Sequence, residues 1–463
     1  MSNMQMTTMS VLPEDAAADL ERAHVRTMLA RKKDDTIACT IENCVTILQN
    51  DPLFKNNIRK NLHTGCINIY GNMPWHRDGR MLSDEDLPFI KVLFEKYYGI
   101  MSEAKVMSAL RIVANRNGFH PIRERLNSLT WDGTPRIRYA LHHFLGAEVN
   151  DFNEECLRVF MLGAATRVFR PGQKFDLMLC LTGGQGAGKS TFFRYLALDD
   201  EWFSDDLNKL EDANIYRRLM GHWIIEMSEM MATINAQSVE IIKSFLTRQK
   251  DTYKTPYDKF PADHPRQCVF GGTTNKHNFL PNDRTGNRRF MPIRVNTAEA
   301  EVHILEDKAA SRTYFEQMWA EIMVIYNSGD FSLTLSKEAA QRLRDEQQEY
   351  MPEDTQLGQL VDFLEHTQYD TVCSRLLYAE AFNNGIATPQ DRETRNICEL
   401  MNTAIENGDI KGWMPYKNPR HFAKYGKQRG WERVKSRQQE AGNEQPVEQF
   451  KLTAVEKPDD CPF

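Results

Sequence analysis

The run LTGGQGAGKST, Leu181 to Thr191, decides how this chain is read. It fits the pattern G-x-x-x-x-G-K-[ST], with Gly183, Gly188, Lys189 and Ser190 at the fixed places. Upstream, DLMLCL (Asp176 to Leu181) has the apolar density of a buried strand, and downstream TFFRYLA continues as a helix. That strand–loop–helix setting gives the motif its specificity. Glycines let backbone N–H groups turn inward around phosphate oxygens. The helix that follows presents its positive end to the same anion. The expected ligands are ATP and Mg2+. Gly183, Gly184, Gln185, Gly186, Ala187, Gly188 and Thr191 would wrap the phosphates, Lys189 would neutralise β- and γ-phosphate charge, and Ser190 would hold the cation.

Hydrolysis needs more than a cradle. HWIIEMSEM, starting at His222, places Glu226 and Glu229 directly after an apolar run. One carboxylate would orient Mg2+ and the other polarise the attacking water. Glu229 is the preferred base, though the two acids are not adjacent and their division of labour stays open. A third apolar run, QCVFGG (Gln267 to Gly272), leads to Thr273, Thr274 and Asn275. Asn275 is the expected water-positioning residue, with either threonine as the alternative. DRTGNRRFMPI then sets Arg288 beside Arg289 ahead of an apolar strand. A guanidinium suits the spread charge of phosphoryl transfer. Neighbours on an extended segment point oppositely, so one arginine could meet phosphate while the other pairs with an acid. A finger acting in trans requires a dimer or a ring.

These pieces, in this order, resemble the virulence-associated protein E family, whose ATPase core is similar to superfamily 3 helicases. The likeness runs from LNSLTWDGTPRI (Leu126 to Ile137) through the phosphate loop to SFLTRQKDTYKTPYDK and GGTTNKHNFLPNDRTGNRRFMPI. It implies an AAA+-like core around a central parallel sheet, encoded by a phage, prophage or mobile island and working beside a primase. Carried over by position, it implies phosphate and Mg2+ contacts at Lys189 and Ser190, the acidic strand end at Glu226 and Glu229, the sensor at Asn275, and the finger region at Arg288 and Arg289. The departure is Glu-Met-Ser-Glu, where many helicases of the group carry neighbouring acids.

Around this α/β core, assigned to 131–350, the sequence divides further. A polar segment, 1–34, carries a helical piece around Ala16 to Lys32. A helix-rich region follows over 35–130, with Ser83 and Ser102 read as helix N-caps. A small module over 355–440 and a polar tail over 441–463 end the chain.

Two basic stretches carry aromatic residues. TRQKDTYKTPYDKFPADHPR brings Arg248, Lys250, Lys254 and Lys259 beside Tyr253 and Tyr257, a pattern suited to a single strand. The resemblance places it at the pore hairpin of superfamily 3 helicases. KGWMPYKNPRHFAKYGKQRGWERVKSR (Lys411 to Arg437), preceded by helical patterns, suggests a winged-helix-like module for duplex DNA. Its aromatics serve equally well as the module's own core.

The 463-residue chain has a formal net charge of −6, so any nucleic-acid contact must come from local patches. Nine scattered cysteines form no CxxC pair, which argues against a zinc site and for a reducing cytoplasm, here of a bacterial host. No apolar run approaches a membrane span and no secretory h-region is read. The expected function is an ATP-dependent nucleic-acid translocase or helicase, a homo-oligomeric ring (a hexamer) on single-stranded or duplex DNA with replication proteins. The competing reading is a regulatory protein that binds replication factors and uses ATP as a switch. A small-molecule kinase is disfavoured by the length and the two basic stretches.

Overall fold

The structure, a computed structural model, describes residues 16–207, 215–228, 236–255, 260–281, 287–352, 355–385 and 389–434. Glu229, Lys259, Tyr257 and the polar tail lie outside these residues. The chain divides into two compact units, one ending at Pro352 and the other starting at Glu353.

The first unit begins with α1 (Ala16–Thr27) and α2 (Ile41–Asn50). Three short strands follow in the order β2 (Ile67–Ile69), β1 (Ile58–Asn61), β3 (Gly118–Phe119). Helices α3 (Asp86–Tyr98) and α4 (Glu103–Arg116) complete this region. Ile47, Leu48, Phe54, Ile90, Phe94, Val106 and Leu110 form its own core. Each such side chain contributes about 1.5–3 kcal/mol on burial. Ser83 does not cap α3: the helix starts at Asp86, whose carboxylate accepts from the Ser83 N–H at 2.8 Å. The same carboxylate also takes the Trp75 indole and Arg77 guanidinium, each at 2.7 Å. A buried acid that recruits three donors outcompetes a serine hydroxyl for the local geometry. Ser102 precedes α4 without a side-chain capping bond.

The larger part of the unit is a five-stranded, all-parallel sheet under helices. Leading into it are α5 (Pro121–Ser128), α6 (Ile137–Leu145) and α7 (Asp151–Phe169), the last buried along most of its length. The sheet order is β10 (Phe290–Arg294), β4 (Met178–Thr182), β9 (Val269–Thr274), β6 (Ile224–Met227), β5 (Phe203–Ser204). Every pairing is parallel. Strands covered on both faces read as continuous apolar runs, and β4 shows how the faces divide. Leu179 and Leu181 join one core with Phe193, Trp223 and Trp319, whereas Met178 and Cys180 join the other with Phe245, Phe270 and Phe290. That is the period of two expected of a strand. Gly271 on β9 is held by packing, since a Cβ there would stand 2.5 Å from the Phe193 ring.

Helix α8 (Lys189–Leu196) follows the loop after β4; α9 (Ile215–Leu219) and α10 (Ala236–Thr247) flank β6. Between α10 and β9 an antiparallel hairpin forms from β7 (Lys250–Tyr253) and β8 (Ala262–Pro265). Helices α11 (Lys308–Ser328), capped by Asp307, and α12 (Lys337–Glu349), capped by Ser336, close the unit.

The second unit runs from α13 (Thr355–His366) to β11 (Thr371–Cys373), a helical stretch from Ser374 to Ala381, and α14 (Asp391–Asn407). Then come β12 (Trp413–Pro415), β13 (Arg420–Phe422), β14 (Gly426–Gln428) and β15 (Gly430–Arg433). An antiparallel sheet has the order β11-β15-β12, and β13 pairs with β14 as a hairpin. Trp413 and Trp431 are buried, with Phe422 and Tyr425 packed against the same core. Four aromatics of this stretch are therefore core side chains, whereas Tyr416 is half-buried outside that core with the Arg420 guanidinium over its ring at 3.7 Å.

Candidate functional site

The phosphate loop lies at the C-terminal edge of the parallel sheet, where open α/β sheets bind their ligands. Its shape depends on glycine. Gly183 has φ +156, and a Cβ there would stand 2.6 Å from Val295. Gly188 has φ +77 and leads into α8, which has no acidic residue in its first turn. The helix end therefore faces the loop with its positive dipole uncompensated.

Lys189 is 7% exposed and donates from Nζ to Gly183 O at 2.8 Å, Gly184 O at 2.7 Å and Asn275 Oδ1 at 2.9 Å. Burial lowers its pKa, opposed by the charge of Glu226. Ser190 donates from Oγ to Glu226 Oε1 at 2.7 Å, and the Thr273 hydroxyl donates to the same oxygen. Glu226 is 1% exposed and its Oε2 is buried without a partner. Burial pushes its pKa up, while the two hydroxyls pull it down. Around these groups is a cavity of about 550 Å3, lined by the loop from Gln185 to Thr191 and by Thr273, Thr274 and Asn275. Its far wall is His303, Ile304 and Leu305, which carry no motif and were not anticipated from sequence.

The residues present fit a polyphosphate with a hard cation. Glycines open the loop, an ammonium stands over it, and a hydroxyl and a carboxylate with one unpartnered buried oxygen meet at one point. Thr273 and Asn275 divide the strand end between them, the first bonding Glu226 and the second Lys189.

The arginines are elsewhere. Arg288 and Arg289 precede β10, and Phe290 pairs with Met178 at the start of β4. They sit at the opposite edge of the sheet from the phosphate loop, a strand length of roughly 17 Å away. Arg289 donates from Nε to Asp176 Oδ2 at 3.1 Å, and Arg288 is exposed.

The β7–β8 hairpin also rises toward that opposite edge, just ahead of β9. Its base is fixed by Arg266, which donates to both Asp251 oxygens, at 2.6 Å and 2.9 Å, in a buried pair. Arg248 donates to the Tyr216 hydroxyl at 3.2 Å, and Lys250 is ion-paired with Asp263. Tyr253 stacks on His264 at 3.9 Å and on Tyr216 at 6.0 Å, so its ring already serves the hairpin. Lys254 is exposed. Phe260, 79% exposed, is an aromatic that the spacing of the basic stretch did not single out.

Residues 126–352 match the family model of the virulence-associated protein E-like domain. No curated protein matches the chain. Among solved structures, the chain is similar to the apo A form of the NrS-1 C-terminal region (305–718), at 12% identity and a TM-score of 0.45, covering 82% of this chain and 96% of that one. The apo structure of the same region is similar at 13% identity and a TM-score of 0.43, with 82% and 96% covered. Among the described residues no helix is long and apolar enough to cross a membrane.

Proposed function

We propose, for a chain whose residues 126–352 match the model of the virulence-associated protein E-like domain, that it hydrolyses ATP to move along or unwind nucleic acid during replication of a phage, prophage or mobile element. The observation that carries this reading is the meeting of Lys189, Ser190, Glu226, Thr273 and Asn275 at one edge of a parallel sheet. The strand order, with the phosphate-loop strand between the Asn275 strand and β10, supports an AAA+-like core. In the second unit, the helix–strand–helix–helix–strand–hairpin–strand order supports a winged-helix-like module.

Loop N–H groups and the α8 terminus would bind the phosphates of ATP, with Lys189 exchanging its loop carbonyls for phosphate oxygens. Ser190 and Glu226 would hold Mg2+, which supplies charge stabilisation to the transferring phosphoryl group. Thr273 keeps the Glu226 carboxylate turned toward Ser190. Asn275, released by Lys189, would orient the attacking water, and Glu229 would take its proton. Lys254, on the hairpin, and Lys259 would contact single-stranded DNA, and a head-to-tail ring, a hexamer, would bring Arg288 to a neighbour's phosphates. We place the protein in the bacterial host cytoplasm, beside a primase or other replication proteins.

The second reading, an ATP-switched protein that acts on replication factors without unwinding, draws on the distance of Arg288 from the phosphate loop of its own chain. A lone subunit would turn over slowly. Steady-state ATP hydrolysis with and without single-stranded DNA, with Lys189→Ala as the blank, separates the two. Strong stimulation by the strand fits the motor; turnover indifferent to nucleic acid removes it in favour of the switch.

A further inference from the structure

The second unit carries its charge unevenly. Between Lys411 and Val434 there are seven cations, Arg433 among them, and a single acid, Glu432. Arg433 is used internally, donating to the Leu364 and Thr367 carbonyls at 3.2 Å and 2.9 Å. The other six, Lys411, Lys417, Arg420, Lys424, Lys427 and Arg429, are exposed. Among the described residues none of the six forms an ion pair. Three of them, Arg420, Lys424 and Lys427, belong to the β13–β14 hairpin and its turn. The hairpin aromatic Phe422 turns inward, and a Cβ on Gly430 would stand 2.5 Å from its ring. The hairpin thus presents cations outward and no exposed Phe, Tyr or Trp ring; its exposed ring is the His421 imidazole, and Arg420 covers the half-buried Tyr416 ring at 3.7 Å. That favours a phosphate backbone over unstacked bases, which need exposed aromatics.

Helix α14 supplies a different surface. Its inner face is Ile397, Met401 and Ala404, all buried. The exposed face of its first turns carries Arg392, Arg395, Asn396 and Glu399. The spacing i, i+3, i+4, i+7 puts all four on one side. These types form the bidentate or acceptor pairs that distinguish bases in the major groove: arginine with guanine, asparagine with adenine, glutamate with cytosine. A helix used only for phosphate contact would not place a carboxylate in that row. The capping box at the start of α14, where the Gln390 N–H donates to the Glu393 carboxylate at 2.7 Å, holds the helix end in place.

We infer that the second unit is a sequence-selective reader of duplex DNA. Helix α14 enters the major groove through Arg392, Arg395, Asn396 and Glu399, while the β13–β14 hairpin grips the flanking backbone. This rests on the winged-helix-like reading of the unit and not on ATP turnover. It gives the proposed motor a place to load: a defined duplex site.

The full chain is to be incubated, without nucleotide, with a library of random duplex DNA, and the bound fraction sequenced through successive rounds. Enrichment of a defined site is expected. Lys424→Glu with Lys427→Glu should weaken binding to every duplex alike and lower the slope of log affinity on log salt by about 1 for each phosphate no longer neutralised. Arg395→Ala and Asn396→Ala should cost about tenfold or more on the enriched site while leaving unrelated duplex unaffected. All four positions are exposed, and circular dichroism checks the fold. No enriched site, or helix variants that bind it as the parent does, would overturn the inference, as would a preference for single-stranded DNA or RNA of the same sequence. ATP turnover is measured on the same preparations. Site-selective binding without turnover sinks the motor alone, and turnover without site selection sinks only the reader.

Discussion

Glu226 has one oxygen shared by two hydroxyls and the other sealed from solvent with nothing to bond. A buried acceptor left unsatisfied costs about 1–3 kcal/mol. Because burial raises its folded pKa above the unfolded value, the carboxylate penalises folding in full above the folded pKa, and the penalty fades as pH falls from the folded to the unfolded value. Glu226→Gln should therefore raise the urea midpoint at neutral pH, by about 1 kcal/mol of stability, and lose that advantage in acid. The same change should abolish Mg2+-dependent ATP turnover; a variant both active and no more stable would remove Glu226 from the cation site. Lys189→Ala gives up three hydrogen bonds at the loop but no core packing. Turnover should vanish while circular dichroism stays unchanged, and retained turnover would take the phosphate loop out of the chemistry. The convergence of Lys189, Ser190, Glu226 and Asn275 was legible in the sequence, because phosphate and Mg2+ admit few residue types and each followed an apolar strand. The pairing of Thr273 with Glu226 was not, since strand neighbours in a parallel sheet are set by crossovers far along the chain.

Elements show where pattern reading stops. Strands β4, β6 and β9 were readable as apolar runs, yet their order was not: β9 lies between β4 and β6 although it follows both. The hairpin of β7 and β8 was anticipated as a basic aromatic loop. What spacing could not reveal is that Tyr253 spends its ring on Tyr216 and His264, and that Lys250 is paired. The exposed cations left on the described part are Arg248, bonded to the neutral Tyr216 hydroxyl, and Lys254, so Lys254→Glu should weaken single-strand binding and flatten its salt dependence by about one phosphate's worth. Unchanged binding in a fluorescence titration would move the strand elsewhere. At the junction of the N-terminal region with the sheet, the rings of His63 and His120 stand 5.5 Å apart. Burial pushes their pKa values down to about 3 and about 4. His120 Nδ1 accepts from the Arg123 N–H as the cap of α5, which a proton there would forbid. Depressed histidines contribute stability that is full above their ordinary 6.5 and lost as pH falls toward the folded values. Urea midpoints should decline from about pH 6.5 to about pH 4. His120→Asn, which keeps a capping oxygen but does not titrate, should make that decline shallower; an equal slope would place the pH dependence on other groups.

At the scale of the whole molecule, the parallel sheet separates the two groups proposed to share one reaction. Lys189 follows the C-terminal end of β4, whereas Arg288 and Arg289 precede β10 at the other edge. A side chain of about 7 Å reach cannot close a gap of roughly 17 Å within one rigid sheet. Arg289 is already committed to Asp176, which leaves Arg288 exposed and available to a neighbour. A finger used in trans demands a second copy, in a dimer or in a head-to-tail ring whose contacts repeat until they close. The two arginines should then separate in the assay. Arg289→Ala should lower stability by releasing the Asp176 carboxylate, read as a lower melting temperature, whereas Arg288→Ala should leave melting unchanged and abolish turnover. Lys189→Ala alone should also be inactive. Mixed in equal amounts and allowed to exchange subunits, the Lys189→Ala and Arg288→Ala chains rebuild an intact site wherever an Arg288→Ala subunit receives the finger of a Lys189→Ala neighbour. With independent sites, about one quarter of the interfaces regain both groups, and turnover should recover to that order. Mixed oligomers verified by native mass spectrometry that show no recovery would sink independent sites completed in trans. Full activity of Arg288→Ala alone would remove the finger itself.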